Sequence, residues 1–208
     1  VPSRRTATAG LAPEWHHGER RVVLEDPVRQ ETPHMPGAIL TDAELASIRR
    51  EYRAARLLPA RTYHDPAILE WERDHIVRTD WVLVAREEDV AEPTSFVRIE
   101  LDGEDIIVVR GRDMAVRAFY NVCQHRGTAV EERECGKAVR FQCPYHAWIY
   151  DLDGTLVRAK HTDDLEDFSF AEYSLRPIHV ATWQGFIFLS LSADEPEPLE
   201  DHLGDLVD

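Results

Sequence analysis

Two short clusters in the chain carry side chains that can bind metal: Cys123-x-His125 and Cys143-x-x-His146, with seventeen residues between His125 and Cys143. Each cluster supplies one thiolate and one imidazole from a loop that ends a predicted strand. Four soft-to-borderline ligands from two loops suit either tetrahedral zinc or an iron–sulfur centre. The pairing within each half bears on that choice. Zinc sites usually set Cys with Cys in one half and His with His in the other, or use four cysteines. Here both halves are mixed, as two loops clasping a rhombic two-iron cluster need, with both cysteines on one iron and both histidines on the other.

The residues around the ligands narrow the reading. Cys123-Gln124-His125-Arg126-Gly127 and Cys143-Pro144-Tyr145-His146-Ala147-Trp148 resemble the cluster-binding boxes of Rieske proteins, most of all those in the α subunits of Rieske non-haem iron ring-hydroxylating oxygenases. The run Tyr150-Asp151-Leu152-Asp153-Gly154 and the segment Trp183–Phe188 fit the same style, and the resemblance covers about residues 55–208. It implies a 2Fe-2S cluster with Cys123 and Cys143 on one iron and His125 and His146 on the other. The neutral imidazoles leave their iron less negatively charged, so it is the one reduced, and the potential rises above that of all-cysteine clusters.

Departures within the boxes refine the expectation. The respiratory-complex type braces its loops with a disulfide whose cysteines would fall at Thr128 and Tyr145, and a serine that donates to the cluster is replaced by Trp148. Fewer donors to sulfur put the expected potential near the low end of the Rieske range, roughly −150 mV. Ala147 stands where glycine is usual, which brings the torsions of that loop into question.

The elements that must position these loops read as mainly β: a Rieske-type antiparallel β domain preceded by two short helices. Thr41 and Glu44 form a capping box, and Leu45, Ile48, Tyr52 and Ala55 recur at helical spacing. Asp65-Pro66 opens a second helix through about Arg78, with Ile68, Trp71 and His75 on one face and His75 as a packing or hydrogen-bonding residue. Strands are expected at Val97–Leu101, Ile106–Val109, Met114–Tyr120, Ala138–Cys143, Trp148–Leu152, Thr155–Val157, Arg176–Trp183 and Phe186–Leu191, with Asp102-Gly103, Asp153-Gly154 and Gln184-Gly185 as turns. The expected division is an extended leader at 1–37, a helical segment at 38–80, the Rieske 2Fe-2S domain at 81–192, and an acidic linker entering a helix at 193–208.

The other candidates draw plainer readings. Cys135, near Gly136 in an expected turn, is a free surface thiol, and Arg126 either anchors its loop through a salt bridge, the favoured reading, or contributes positive charge near the cluster. His16 and His17 form an exposed pair. His161 beside Asp163 and Asp164 sits in a solvated loop, His179 in an apolar strand is a core or edge residue, and His34, His64 and His202 belong to no constellation.

Composition sets outer bounds. The 208 residues are 43% hydrophobic, which excludes a wholly disordered chain. No run approaches the ~20 apolar residues of a membrane helix, and no apolar leader segment is present, so the expectation is a cytoplasmic protein with no membrane partner. A net charge of −15 disfavours nucleic acid as a partner and either solvates the surface or favours a basic one. The resemblance implies an oxidoreductase component taking electrons from a ferredoxin or flavin reductase. It would pass them to a mononuclear iron for O2-dependent hydroxylation of an organic substrate, in a homotrimer-type assembly. No helix with two histidines and a carboxylate stands out, so that Fe(II) is expected only in a missing domain or a partner chain, and the catalytic residues lie outside this sequence. Two alternatives stay open: a stand-alone Rieske ferredoxin and a zinc-stabilised interaction module without redox function.

Overall fold

The computed structural model describes residues 39–162 and 164–207; the expected leader and His16, His17, His34 and Asp163 lie outside them. Helix α1 spans Asp42–Ile48, and the Thr41–Glu44 capping box forms as its sequence predicts. The helical spacing beyond it does not extend the helix: Arg49 caps it, and Tyr52 is 95% exposed. Without a core to receive Tyr52, the apolar spacing has nothing to stabilise further turns. Helix α2, Pro66–Glu72, starts on Asp65, whose side chain accepts from the Ala67 N–H, and runs through a π-helical turn, Arg73–Val77, to Arg78. His75 stacks on Trp71 at 4.2 Å and its Nδ1 meets the Trp71 carbonyl, the bonding role expected of it.

Ten strands follow: β1 Val82–Arg86, β2 Ser95–Leu101, β3 Glu104–Arg110, β4 Val116–Tyr120, β5 Cys135–Lys137, β6 Phe141–Gln142, β7 Ile149–Tyr150, β8 Leu156–Arg158, β9 Pro177–Trp183 and β10 Phe186–Ser190. Seven make an antiparallel sheet in the order β1-β10-β9-β4-β3-β2-β5, and β6-β7-β8 make a small second sheet. Helix α3, Leu199–Leu203, follows the acidic stretch.

Strand β3 is the spine of this arrangement. Its successive side chains point to opposite faces, and both faces are covered. Ile107 and Val109 join Phe96, Phe119, Phe141 and Tyr150 under the small sheet, while Ile106 and Val108 pack with Val90, Ile178, Ile187 and Leu189. The hairpins close on turns that need positive φ: Asp102 and Gly103 at 53° and 82°, Gln184 and Gly185 at 50° and 82°. Asp102 has a second role. Its carboxylate takes Arg73 at 2.7 Å and Arg78 at 2.5 Å, tying the helical segment to the β2–β3 turn.

Of the single strand expected over Ala138–Cys143 only Phe141–Gln142 is strand: β5 of the large sheet ends at Lys137, and the chain crosses to the small sheet in between. Ala138 still donates to the Thr94 carbonyl at the edge of the large sheet, and Phe141 already pairs with Tyr150 in the small one. Both are buried, so a crossing between sheets mimics the alternation of one strand. Cys135 lies on edge strand β5 and not in a turn, although it is exposed and free as expected. No helix among the described residues is long and apolar enough to cross a membrane.

One charged tie in this scaffold makes its stability depend on pH. The Arg61 guanidinium holds the Glu44 carboxyl at about 2, against its ordinary 4.5, through two bonds of 2.7 Å. A depressed carboxyl stabilises the fold above its unfolded pKa and loses that effect as pH falls through the folded value. The α1 amide of Leu45 is therefore expected to keep its native NMR shift down to about pH 4.5 and to lose it towards pH 2. A transition centred above pH 5 would contradict this tie.

Candidate metal centre

The two ligand-bearing loops are built alike at their tips. In the first, the Cys123 N–H donates to the Thr128 carbonyl at 2.8 Å and the Gly127 N–H returns to the Cys123 carbonyl at 2.9 Å. In the second, the Cys143 N–H donates to the Trp148 carbonyl at 2.8 Å and the Ala147 N–H returns to the Cys143 carbonyl at 3.0 Å. Each tip turns on a residue four after its cysteine with positive φ, Gly127 at 74° and Ala147 at 55°. The missing glycine at 147 thus changes the strain of the turn and leaves its path intact.

These tips bring together all four residues singled out from the sequence. Cys123 and Cys143 are buried. The His125 and His146 rings lie 4.5 Å apart, and the Nδ1 of each is buried with no hydrogen-bond partner among the described residues. Two orphaned nitrogens in one place are uncommon, because a buried polar group without a partner is costly. Burial pushes the Cys123 thiol up, against the opposing pull of the Tyr150 hydroxyl and the His125 backbone N–H. Burial also holds His125 below its ordinary value, with the neighbouring His146 and Arg126 adding to the effect, so its imidazole is neutral and available as a ligand. Two buried thiols and two unpartnered imidazole nitrogens fit a metal–sulfur group that both loops could hold. Among the described residues no three His, Cys, Asp or Glu side chains converge on a single-ion site.

Around this set lies a shell that the sequence reading missed. The Tyr150 hydroxyl lies 3.3 Å from Cys123 Sγ and accepts the Gln124 N–H at 3.1 Å. With its oxygen taken by that N–H, the hydroxyl proton is free to point at sulfur. Burial raises the Tyr150 pKa further, so the proton stays on. The only sequence signal was a phenol two residues past the second box, on a strand whose neighbours are core. Trp148 stacks on His125 at 4.7 Å and is held edge-on by Phe168 and Tyr173. Tyr145 covers His146 at 3.8 Å.

The histidine side opens into a hollow of about 730 Å³ whose lining includes Arg126, Tyr145, Lys160, His161 and Leu165. His161, read from sequence as part of a solvated loop, therefore faces the same space as His125 and His146, with its backbone at φ 62°. Arg126 forms no ion pair among the described residues, contrary to the favoured salt-bridge reading; it lines the hollow beside His125 and His146. His64 caps a short turn, His179 sits on β9 at 3.9 Å from Glu195, and His202 meets Glu197 at 3.2 Å.

The chain is similar to known proteins. Residues 80–169 match the Rieske [2Fe-2S] domain family. The chain is 37% identical over 147 residues to the carnitine monooxygenase oxygenase subunit of Escherichia coli (strain K12), which covers 70% of this chain and 39% of that one. It is 35% identical over 173 residues to the glycine betaine monooxygenase oxygenase subunit of Chromohalobacter salexigens, covering 83% and 38%. The crystal structure of the apo form of a quaternary ammonium Rieske monooxygenase superposes with a TM-score of 0.69 at 35% identity, over 73% of this chain and 44% of that one. The chain thus spans about two fifths of the length of the curated relatives it matches.

Two substitutions test the loop chemistry. Tyr150→Phe removes a donor to sulfur worth about 1 kcal/mol. It is expected to lower the midpoint potential of the loaded protein by about 40 mV in protein-film voltammetry; an unchanged potential would show that the hydroxyl does not donate to the cluster side. Ala147→Gly relieves the left-handed strain and should raise stability by about 1 kcal/mol in urea denaturation. A lower midpoint would contradict the strain argument.

Proposed function

We propose that the chain belongs to the Rieske oxygenase α-subunit family and is the electron-transfer part of such an oxygenase, with residues 81–192 as the Rieske unit. Cys123 and Cys143 would hold one iron of a 2Fe-2S cluster, and His125 and His146 the other through their Nδ1 atoms. The observation that carries this assignment is the pair of buried, unpartnered Nδ1 atoms set beside two buried thiols. When bound, such a cluster supplies reversible one-electron transfer at a potential raised by its imidazole ligands.

The chain's own residues do the rest. The two matched turns fix the spread of the ligands, Tyr150 offers a proton to the Cys123 sulfur, and Trp148 fixes the plane of the His125 ring. The two histidines line the open hollow, where a partner can approach. Electrons would enter from a ferredoxin or flavin reductase in the cytoplasm. They would leave for a mononuclear iron in the remainder of the subunit or in another polypeptide, within a trimer-type assembly, for hydroxylation of an organic substrate. Quaternary ammonium compounds are the substrates to try first, because carnitine and glycine betaine monooxygenase subunits are among the relatives matched.

The ligand assignment is open to direct test. The anaerobically reconstituted chain is expected to contain two irons and two acid-labile sulfides, and Cys143→Ser or His146→Ala should abolish its visible absorption. Cys135→Ser should leave the spectrum unchanged. Full absorption in either ligand variant, or zinc without sulfide in the parent, would overturn the assignment.

A further inference from the structure

Below their similar tips the two ligand loops are closed by different means. The second loop rests on a strand pair, with Gln142 opposite Ile149 and Phe141 opposite Tyr150, so the ladder itself holds its two arms together. The first loop has no such ladder. Its outgoing arm leaves β4 at Tyr120, which pairs with β3, and its returning arm reaches β5, which pairs with β2. Strands β4 and β5 are not neighbours in the sheet. Something other than strand pairing must hold the arms that carry Cys123 and His125.

One buried side chain spans that gap. Asn121, 1% exposed, lies two residues before Cys123. Its Nδ2 donates to Asp105 Oδ2 at 2.8 Å and to the Glu131 carbonyl at 2.7 Å. Its Oδ1 accepts the Val130 and Glu131 N–H groups at 2.9 and 3.0 Å. A carboxamide has two donor hydrogens and two acceptor lone pairs, and all four are used. Three of the four bonds go to the returning arm, and the fourth anchors the side chain to β3. The Asn121 backbone N–H adds a bond to the Asp105 carbonyl at 2.7 Å. Asp105 is held in turn by Arg98 at 2.9 Å, and Arg98 also reaches the Glu132 carbonyl at 2.7 Å.

We infer that Asn121 is the positioning residue of the first ligand loop, clipping residues 121 and 130–131 together so that Cys123 and His125 stand at their spacing before any cluster arrives. The clip uses only groups of the chain itself, so it exists in the cluster-free protein. It rests on the proposed ligand assignment only for its consequence, which is that the cluster docks into a loop already closed. Residues behind metal ligands commonly change metal retention by an order of magnitude or more when removed, and the side-chain hydrogen bonds of Asn121 go to Asp105, Val130 and Glu131, none of them a ligand.

The test uses the full chain. With cluster bound, Asn121→Ala is expected to lose its visible absorption to excess EDTA roughly tenfold faster than the parent. The control is Ser190→Ala, a buried hydroxyl on β10 that bonds the Thr79 carbonyl at 3.3 Å, which should lower the thermal midpoint without speeding that loss. Equal acceleration in both variants, compared at the same interval below their midpoints, would make Asn121 an ordinary scaffold residue and overturn the inference. Amide exchange in the cluster-free parent decides the matter even where Asn121→Ala does not fold. The Val130 and Glu131 amides are expected to be protected to the same degree as those of β4, and exchange at the rate of exposed loop amides would overturn the inference. A parent chain that binds no cluster would strike the ligand assignment alone, and the exchange result would still decide for or against the clip.

Discussion

Two buried imidazole nitrogens without a partner are the constraint around which the rest of the molecule is arranged. A folded protein seldom leaves even one such group unsatisfied, since its desolvation costs about 1–3 kcal/mol. Here two of them come from the same two loop tips as two buried thiols, one of which burial pushes away from its anionic form. Each of these features alone is a local fault. Together they make a set of donors that one electron-deficient group could satisfy, because metal binding deprotonates thiols and takes up free imidazole lone pairs.

Holding such donors apart while the site is being filled requires a stiff support, and the sheet supplies it. Strand β3 is buried on both faces, so neither of its layers can shift without disturbing the other. The small sheet packs its Phe141 and Tyr150 on one of those faces, which fixes the second loop relative to the first. The aromatic wall of Trp148, Phe168 and Tyr173 then limits how far the His125 ring can turn. Stiffness suits electron transfer, since a site that barely rearranges between oxidation states leaves little for the protein to reorganise; what the cluster contributes is its own chemistry.

Much of this was legible in the sequence because it depends on local rules. The Asp102-Gly103 and Gln184-Gly185 turns follow from which residues tolerate positive φ, the α1 start from the Thr41–Glu44 spacing, and the four candidate ligands from residue type and interval. What escaped depends on tertiary contact. Tyr150 reads as one more buried aromatic until the fold sets its hydroxyl against Cys123. Asn121 looks like an ordinary turn-former, and only the return of the chain at Val130 and Glu131 shows where its amide goes. Arg126 and His161 share a hollow although 35 positions separate them. The strand expected over Ala138–Cys143 failed for a related reason, since alternation records burial and does not record which sheet does the burying.

The central claim is that the two poles of the site differ, with sulfur donors on one iron and nitrogen donors on the other. Mössbauer spectroscopy of the reconstituted chain, enriched in 57Fe and reduced by one electron, addresses that claim most directly. The account predicts two distinct iron environments in equal amounts, a ferric one typical of thiolate coordination and a ferrous one carrying nitrogen ligands. Two ferrous or ferric sites of the same all-sulfur type, or a single averaged environment, would contradict it.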